Sequence, residues 1–487
     1  MSLITMKDLI IQVITFIAEH LIFVYAISLA IFCTLLALIS LRETRTYMKR
    51  SRFDDNQALL NSTLTPSISL IVPMYNEGKS IIDSVRSLLS LRYSRYDVIV
   101  VNDGSTDHSL RTLIEHFQLI PVAFPLESRL NTRQVRSVYR SRNKAFGKLI
   151  VVDKENGGKS DALNAGLNIS TSALVACMDA DSIIAPDALL TMVKPFLNNK
   201  EKVIATGGVV RIANSCEVED GSLVRVKLPG NLLARFQALE YLRVFLLSRI
   251  AWSKFNGLLI VSGAFGLLDK EIAIRCGGYA TNTVGEDMEL IVRMRRYMHS
   301  LRKKHKVFYI PDPLCWTEAP SSVAVLSRQR NRWARGTGET LFRHRRIFLN
   351  PRFGVMGMLS FPYWLIFEYM APFIEIIGIA YFLALAVMGK LNLVYFFSLL
   401  GALYSFAVFS SVLALIAEEF SYHKYKLKSD MSKLIVTALL EPILYHPIIM
   451  LSTLKGNIDL LFGKKSWGNM QKRGFDQKQQ KMDKMSA

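Results

Sequence analysis

Two aspartates separated by one residue give the clearest sign of chemistry in this chain. Asp179 and Asp181 follow an apolar run, Ala173 to Cys177, that predicts a buried strand. Residues two apart on a strand share a face, so both carboxylates can point at one spot where the strand ends. Two such charges repel each other unless a cation is near, and their oxygens suit Mg²⁺ or Mn²⁺ bound to phosphates. Taken alone, the pattern is also typical of a solvated loop.

A second pair of carboxylates lies further along the chain. Glu286 and Asp287 precede a helical pattern from Met288 to Met298. A carboxylate here can act as a general base, or it can simply stabilise the positive end of the helix dipole. The run of small residues around Gly263 would let a ligand approach the backbone closely, or would form a tight packing turn.

A basic and aromatic element comes just before a hydrophobic region. Its sequence is Gln-Arg-Asn-Arg-Trp, and it includes Gln329, Arg332 and Trp333. These residues are typical of a membrane flank, where arginine attracts anionic lipid and tryptophan anchors at the interface.

Groups suited to a nucleotide lie near the start of the α/β pattern. Tyr75 and Glu77 follow the first strand-like run, and Asp103 follows the second. A carboxylate at a strand end can accept a hydrogen bond from a nucleobase imide or a ribose hydroxyl. Gly157-Gly158-Lys159 resembles a phosphate-binding loop, although its spacing is not that of a Walker A motif.

Strands alternating with helices must position these residues. Such alternation predicts an α/β, Rossmann-like domain with a mostly parallel sheet and ligands at the carboxyl ends of the strands. Asp103, Asp179 and Asp181 all lie at such ends. The predicted strands are 68–73, 97–101, 149–152 and 174–178, and the predicted helices between them are 77–91 and 159–169.

Composition places this domain at a membrane. The 487 residues are 51% apolar with a net charge of +20. Much of the basic charge flanks hydrophobic stretches, which is typical of the cytoplasmic side of a membrane. No zinc, basic-zipper or RNA-binding pattern occurs, so no nucleic-acid partner is expected. The five cysteines follow no disulfide framework, which predicts reduced thiols.

Four hydrophobic segments predict the membrane part. Leu21 to Leu41 is long enough to span a bilayer, and the basic block that follows it, Arg42 to Arg52, places that end in the cytoplasm. Segments 355–388, 393–417 and 434–454 follow the α/β region. The first is longer than one crossing needs, so its start is expected along the interface. Three full C-terminal crossings would leave the basic tail outside, so the number of crossings stays open.

Two details refine this organisation. Glu368, Glu375, Glu441 and His446 occur within apolar stretches and are expected to face protein or a polar path, not lipid. The amphipathic segment 231–255 is expected either to pack on the domain or to lie on the membrane surface. The predicted domains are an N-terminal membrane anchor (1–50), a cytosolic α/β domain (51–350), C-terminal transmembrane or interfacial helices (351–455) and a basic cytosolic tail (456–487).

Four motifs occur together, in an order that resembles the membrane-embedded processive glycosyltransferases of family 2. These include the cellulose, hyaluronan, chitin-oligosaccharide and poly-N-acetylglucosamine synthases. The resemblance covers roughly residues 66–350 and the flanking membrane segments. It implies a GT-A fold, a UDP-sugar donor, Mg²⁺ or Mn²⁺, and a growing polysaccharide acceptor. The matching motifs are the Asp103 element, Asp179-Ala180-Asp181, Glu286-Asp287 and Gln329-x-x-Arg332-Trp333.

The resemblance also implies a place and a product. The protein would be a multi-pass protein of the plasma or inner membrane with its catalytic domain in the cytosol. It would invert the anomeric centre, make a β-linked exopolysaccharide processively and secrete it between its own helices. Secretion partner proteins are left open.

Each candidate residue acquires a role from the resemblance. Asp287 would be the general base. Asp179 and Asp181 would hold the metal, and the acceptor side would be formed by Glu286, Gly263 and Trp333. The tail motif Trp467 to Met470 is expected near the mouth of the site on a different ground, namely that it holds an aromatic residue among basic ones. The donor would be bound by Tyr75, Glu77, Asp103, Lys159, Asp179, Gln329 and Arg332.

Two alternatives remain at this stage. A membrane glycosyltransferase that transfers one sugar to a lipid would carry a similar motif, because ceramide glucosyltransferases resemble this chain around Arg332 and Trp333. A membrane scaffold or transporter without enzymatic activity would use the basic face to hold anionic lipid. Replacing Asp287 with asparagine would change nothing measurable in that second case. The pattern predicts neither the sugar nor the linkage position.

Overall fold

The α/β region is built on a mixed sheet of ten strands, with a separate two-stranded ribbon formed by residues 217–219 and 222–225. The structure is a computed structural model. The motif Trp467 to Met470 lies outside the described residues. The residues that the structure describes are 3–51, 59–60, 62, 65–78, 80–125, 127–219, 222–422, 425 and 428–464.

The strands lie in the sheet in the order β3-β4-β5-β2-β1-β6-β11-β8-β12-β7. The ribbon pairs β9 with β10. The strands are β1 (Ile68–Met74), β2 (Tyr96–Asp103), β3 (Leu119–Val122), β4 (Val135–Ser141), β5 (Leu149–Lys154), β6 (Leu174–Met178), β7 (Ile183–Ile184), β8 (Lys202–Ile212), β9 (Glu217–Glu219), β10 (Ser222–Arg225), β11 (Phe265–Asp269) and β12 (His305–Thr317).

A parallel block, β5-β2-β1-β6, forms the middle of the sheet. Its strands are mostly apolar, because helices cover both faces of a parallel sheet, and polar residues gather at the carboxyl ends of β2 and β5. In β6 all five residues are buried. This block contains the four strands that the sequence predicts, and their carboxyl ends bring Asp103 and Asp179 to the same edge.

Antiparallel strands extend the sheet beyond β6. β11 pairs with β6 in the opposite direction, and β8 pairs with β11. Phe265 at the start of β11 lies opposite Met178 at the end of β6. The small-residue segment before β11 therefore lies beside Asp179.

Helices cover the sheet and continue into the membrane part. Four short π-helical segments, Phe245–Arg249, Met356–Ser360, Trp364–Tyr369 and Glu441–Tyr445, interrupt them. The α-helices are α1 (Leu3–Ser51), α2 (Ile81–Leu89), α3 (Ser109–His116), α4 (Lys159–Ile169), α5 (Ala188–Asn198), α6 (Leu232–Val244), α7 (Ile250–Lys254), α8 (Lys270–Arg275), α9 (Glu286–Ser300), α10 (Val323–Arg343), α11 (Phe361–Tyr363), α12 (Ala371–Val387), α13 (Leu393–Ser421), α14 (Lys428–Leu440) and α15 (His446–Leu461).

Three helical stretches of the described chain are long and apolar enough to cross a membrane: Glu19–Ser51, Leu393–Ser421 and Ser429–Leu461. A bent pair, Met356–Tyr369 and Ala371–Val387, is a fourth candidate, and its two parts meet at 44°. Proline in the first turn of α12 lacks the N–H that would continue the preceding helix, which accounts for the break.

The charged residues within the apolar segments have polar partners in the protein, as the sequence predicts. Arg243 forms two bonds with the Glu441 carboxylate, of 2.8 and 2.7 Å. His446 Nε2 lies 2.9 Å from Glu375 Oε2. Glu368 accepts a bond of 3.2 Å from a tyrosine hydroxyl. The five cysteines all lie within the described residues, and each is a thiol outside any disulfide.

The amphipathic segment of α6 and α7 lies between the sheet and the membrane helices. Phe245 stacks on Tyr309 of β12, with the ring centroids 6.1 Å apart. On the other side, Ser40 of α1 accepts a bond of 3.0 Å from the amide of Ala251. Packing on the domain, one of the two alternatives for this segment, is therefore correct, and the segment also joins the domain to the membrane helices.

Candidate active site

Side chains from three separate motifs meet beside the end of β6. Lys159 is the first residue of α4, and its Nζ lies 2.6 Å from Asp179 Oδ1 and 3.1 Å from Glu286 Oε1. Burial alone would lower the pKa of Lys159, but the carboxylates of Asp179 and then Glu286 raise it, so this side chain is a cation. One ammonium therefore joins the Asp-x-Asp motif to the Glu286-Asp287 pair.

Asp287 lies in the first turn of α9 and receives two backbone hydrogen bonds. Its Oδ2 accepts from the amide of Gly263 at 2.9 Å, and its Oδ1 accepts from the amide of Met288 at 2.8 Å. Burial, and then the neighbouring Glu286 carboxylate, raise the pKa of Asp287, while Lys159 opposes the rise. A carboxylate with a raised pKa is a stronger base near neutral pH.

Gly263 allows the Asp287 carboxylate and the Lys159 ammonium to approach the same stretch of backbone. A Cβ at this position would lie 3.2 Å from Asp287 Oδ2 and 3.5 Å from Lys159 Nζ. Any larger side chain would press on both groups. Tight packing, one of the two alternatives for this segment, is therefore observed, and the approach of a ligand to this backbone stays a prediction.

Asp179 and Asp181 occupy the turn between β6 and β7. Both are half-buried, and the amide of Ser182 donates to the carbonyl of Asp179 at 3.1 Å. No three His, Cys, Asp or Glu side chains form a ready metal cluster within the described residues. Mg²⁺ is commonly bound by only one or two carboxylates together with substrate phosphates. The donor set here fits that mode, with Mg²⁺ or Mn²⁺ as the metal.

Asp103 is buried at the end of β2 and organises the loop before α4. Its carboxylate lies 2.6 Å from Lys154 Nζ and accepts from the amides of Gly157 and Gly158 at 2.9 and 2.7 Å. Asp103 therefore fixes the loop that ends at Lys159. A carboxylate has about four acceptor positions, so the three bonds leave room for one more donor.

Lys154 and Asp161 complete this buried group. The Lys154 side chain is inaccessible to solvent and also lies 2.6 Å from Asp161 Oδ1. Sequence reasoning missed both residues. The signal was present, because Lys154 ends an otherwise apolar strand and Asp161 lies in the first turn of α4.

The loop after β1 carries Tyr75 and Glu77. Tyr75 is 50% exposed, at the edge where the parallel strands end. The amide of Glu77 donates to Ser109 Oγ at 2.9 Å, and the amide of Asn76 donates to Ser105 Oγ at 3.0 Å. The loop is thus anchored to the segment that follows Asp103.

Trp333 lies on α10 and is 40% exposed. The guanidinium carbon of Arg330 lies 4.3 Å from the centre of its ring, a cation–π contact. Arg330 is held in turn by Glu240 of α6 through two bonds of 2.8 and 2.7 Å. The indole therefore packs against an anchored guanidinium, and neither Arg330 nor Glu240 was among the predicted site residues. Arg330 could have been found, since it lies inside the predicted motif.

Gln329 and Arg332 lie on the same helix as Trp333. Both are half-buried, and the Oε1 atom of Gln329 is buried without a hydrogen-bond partner in the described part of the chain. A buried amide oxygen of this kind can accept from a bound ligand.

Comparison with known proteins decides the family. The model of the glycosyltransferase-like family 2 matches residues 66–336, which is more than half of the chain. This chain belongs to glycosyltransferase-like family 2.

Two of the proteins that are similar to this chain are named as polysaccharide synthases. A poly-β-1,6-N-acetyl-D-glucosamine synthase of Staphylococcus epidermidis is 27% identical over 277 residues, which cover 57% of this chain and 56% of the relative. A protein of the same name from Staphylococcus aureus (strain COL) is 27% identical over 304 residues, covering 62% of this chain and 60% of the relative. The chain thus matches little more than half the length of each.

A solved structure confirms the fold. A mannosyltransferase from Pyrobaculum calidifontis, in complex with GDP-Man and Mn²⁺, superposes with a TM-score of 0.50 at 17% identity. The superposition covers 92% of this chain and 99% of the other. The family 2 domain described here therefore has the GT-A fold that the sequence predicts, joined to helices that make this a membrane protein.

Proposed function

We propose that this family 2 enzyme is an inverting, processive glycosyltransferase that polymerises a β-linked polysaccharide from a UDP-sugar. One observation carries the proposal, namely that Lys159, Asp179, Glu286 and Asp287 converge beside Gly263. This convergence brings a cation, a metal-binding carboxylate and a base to one place, although they come from distant parts of the chain. Transfer of a sugar between two oxygens needs all three groups.

The base acts on the acceptor. A sugar hydroxyl is a poor nucleophile while neutral, so Asp287 takes its proton as the oxygen attacks the anomeric carbon. The new bond forms on the face opposite UDP as the bond to the diphosphate oxygen breaks, and the electron pair leaves with UDP. A single displacement inverts the anomeric centre, so an α-linked donor gives a β-linkage.

The other side of the site holds the donor. Lys159, Gln329 and Arg332 bind the diphosphate, whose negative charge grows as it leaves. Asp179 and Asp181 would hold Mg²⁺ or Mn²⁺, which supplies further positive charge to the phosphate oxygens.

The nucleoside end of the donor lies further along the same edge of the sheet. Asp103 uses its remaining acceptor position for the uracil, and Tyr75 and Glu77 line the same side. The one acceptor position that remains on the Asp103 carboxylate supports this assignment.

Trp333 supports the acceptor. Its ring is exposed and packs against the anchored Arg330 guanidinium, so successive sugars can stack on it in the same way. N-acetylglucosamine is the sugar we propose first, because both relatives are named for its polymer.

We place the catalytic domain in the cytosol, with several helices crossing the membrane and the polymer leaving between them. The basic residues Arg42, Arg45 and Lys49 at the end of α1 support this orientation, because such residues favour the cytoplasmic side.

A donor panel tests the proposal. The purified full-length protein in nanodiscs is given UDP-N-acetylglucosamine, UDP-glucose and UDP-glucuronate, singly and in pairs, with Mg²⁺ or Mn²⁺. UDP release and product mass are followed together. High-mass product from one donor supports a homopolymer synthase and identifies its sugar, and dependence on two donors indicates a copolymer. A one-sugar lipid product would favour the single-transfer alternative, and absence of turnover with every donor would overturn the proposal.

A further inference from the structure

One face of α10 holds the segment that leads into the Glu286-Asp287 pair. Gly336, Glu339 and Arg343 lie three and four residues apart on this helix, so they share a face. They contact residues 282–285 in reverse order along the chain. The helix and the segment thus run alongside each other up to the position of the base.

Glu339 makes the central contacts. Its Oε2 accepts from the amide of Val284 at 2.9 Å and from the hydroxyl of Thr283 at 2.5 Å. The same Thr283 hydroxyl accepts from the amide of Gly285 at 3.2 Å. One carboxylate oxygen therefore fixes the three residues before Glu286.

The contacts on either side of Glu339 restrict the backbone of residues 282–285. A Cβ on Gly336 would lie only 2.7 Å from the Cα of Gly285, so the two backbones touch. Arg343 donates to the side-chain oxygen of Asn282 at 2.9 Å. The segment is held at both ends as well as at its middle.

We propose that Glu339 is a positioning residue for Asp287. The inference rests on the proposed function, in which Asp287 is the base. The helix that holds the base segment also carries Arg332 and Trp333, about 10 Å from Glu339 at 1.5 Å per residue. Glu339 therefore fixes the position of Asp287 relative to Arg332, which binds the diphosphate, and to Trp333, which supports the acceptor.

The kinetic constants of variants distinguish this positioning role from a contribution to stability alone. A base displaced by about 1 Å can lower the rate about 100-fold while the donor still binds. Glu339→Ala should therefore lower kcat by about 10- to 100-fold and leave the KM for the UDP-sugar almost unchanged. Glu339→Gln keeps the side-chain length and one acceptor oxygen, so it should recover part of the lost kcat.

Thr283→Val provides a second variant that does not depend on the folding of the first. Valine has nearly the shape of threonine but cannot donate to Glu339, so kcat should fall here too with an almost unchanged KM. Glu115→Gln is the matched control. Glu115 pairs with Arg111 one helical turn away on the exposed face of α3, and its loss should leave both constants unchanged.

The experiment measures UDP release and polymer yield by full-length protein in nanodiscs, with gel filtration and thermal unfolding as checks on folding. A fall in kcat for folded Glu339→Ala or Thr283→Val, with partial recovery in Glu339→Gln, supports the inference. Wild-type kcat in the folded variants overturns the inference and leaves the proposed function intact. A rise in the KM for the UDP-sugar without a change in kcat does the same. Absence of turnover by the wild-type protein overturns both.

Discussion

Replacing Lys159 with methionine should move the pH dependence of catalysis to higher pH. The Lys159 ammonium lies 2.6 Å from Asp179 and 3.1 Å from Glu286. It also lowers the pKa of Asp287, which burial and Glu286 raise. An opposite charge a few ångströms away typically lowers the pKa of a carboxyl by about 1–3 units.

The sign follows from the role of the base. Asp287 acts only when deprotonated, so activity is lost as the pH falls through its pKa. Without the Lys159 charge that pKa rises further, and the acid limb of kcat/KM should move to higher pH. The acid limb of kcat/KM reports the pKa of the base in the free enzyme, which is the state that the structure describes.

The assay follows initial rates of UDP release at low donor concentration across the pH range. Lys159→Arg is the matched control, because it keeps the charge and should keep the acid limb close to that of the wild type. Loss of a donor contact alone would lower kcat/KM equally at every pH. If the acid limb of kcat/KM in Lys159→Met stays at the wild-type pH, whatever the absolute rate, the electrostatic effect of Lys159 on Asp287 is refuted.

Four other perturbations test separate parts of the structure. Trp333→Ala should shorten the polymer while UDP release continues, and Trp333→Phe should restore length; full-length polymer from the alanine variant would argue against an acceptor platform. Arg211 and Glu418 form a buried ion pair between β8 and α13, so Arg211→Met should cost about 3–5 kcal/mol of stability, measured by thermal unfolding. Adding Glu418→Met should restore much of the stability lost in Arg211→Met, and no restoration would mean that the two charges are not coupled. Chelation of divalent cations should abolish turnover with the fold intact and Mn²⁺ should restore it, whereas undiminished turnover would exclude the metal. Burial lowers the pKa of His305 to about 4, so unfolding temperature should fall as pH drops from about 6.5 towards 4, and His305→Gln should flatten this dependence; an unchanged slope would point to other groups.

The central sheet could be predicted from the sequence because its strands are almost wholly buried. Continuous apolar runs such as 68–73 and 174–178 give a strong signal, and the observed strands, Ile68–Met74 and Leu174–Met178, differ from them by at most one residue. The strands beyond β6 were not predicted. β8 is interrupted by glycine and β12 by proline, and both contain charged residues; one of these, Arg211 of β8, pairs with Glu418 of α13.

The candidate site was predictable as a set of motifs but not as an arrangement. The motifs identify Asp179, Asp287 and Arg332 by residue type and order. The sequence contains no sign that Lys159 contacts both Asp179 and Glu286, because this depends on how α4 and α9 approach the sheet. Glu339 was missed for the same reason, since its importance comes only from the segment that packs against it.

In the proposed mechanism Asp287 carries out the transfer but is not needed to bind the donor. Wild-type protein and Asp287→Asn can be compared in nanodiscs, with UDP-sugar binding measured by calorimetry and UDP release measured in the same preparation. We expect the variant to fold and to bind the donor about as tightly as the wild type, while release of UDP falls almost to zero. Release at the wild-type rate by folded Asp287→Asn would contradict this mechanism.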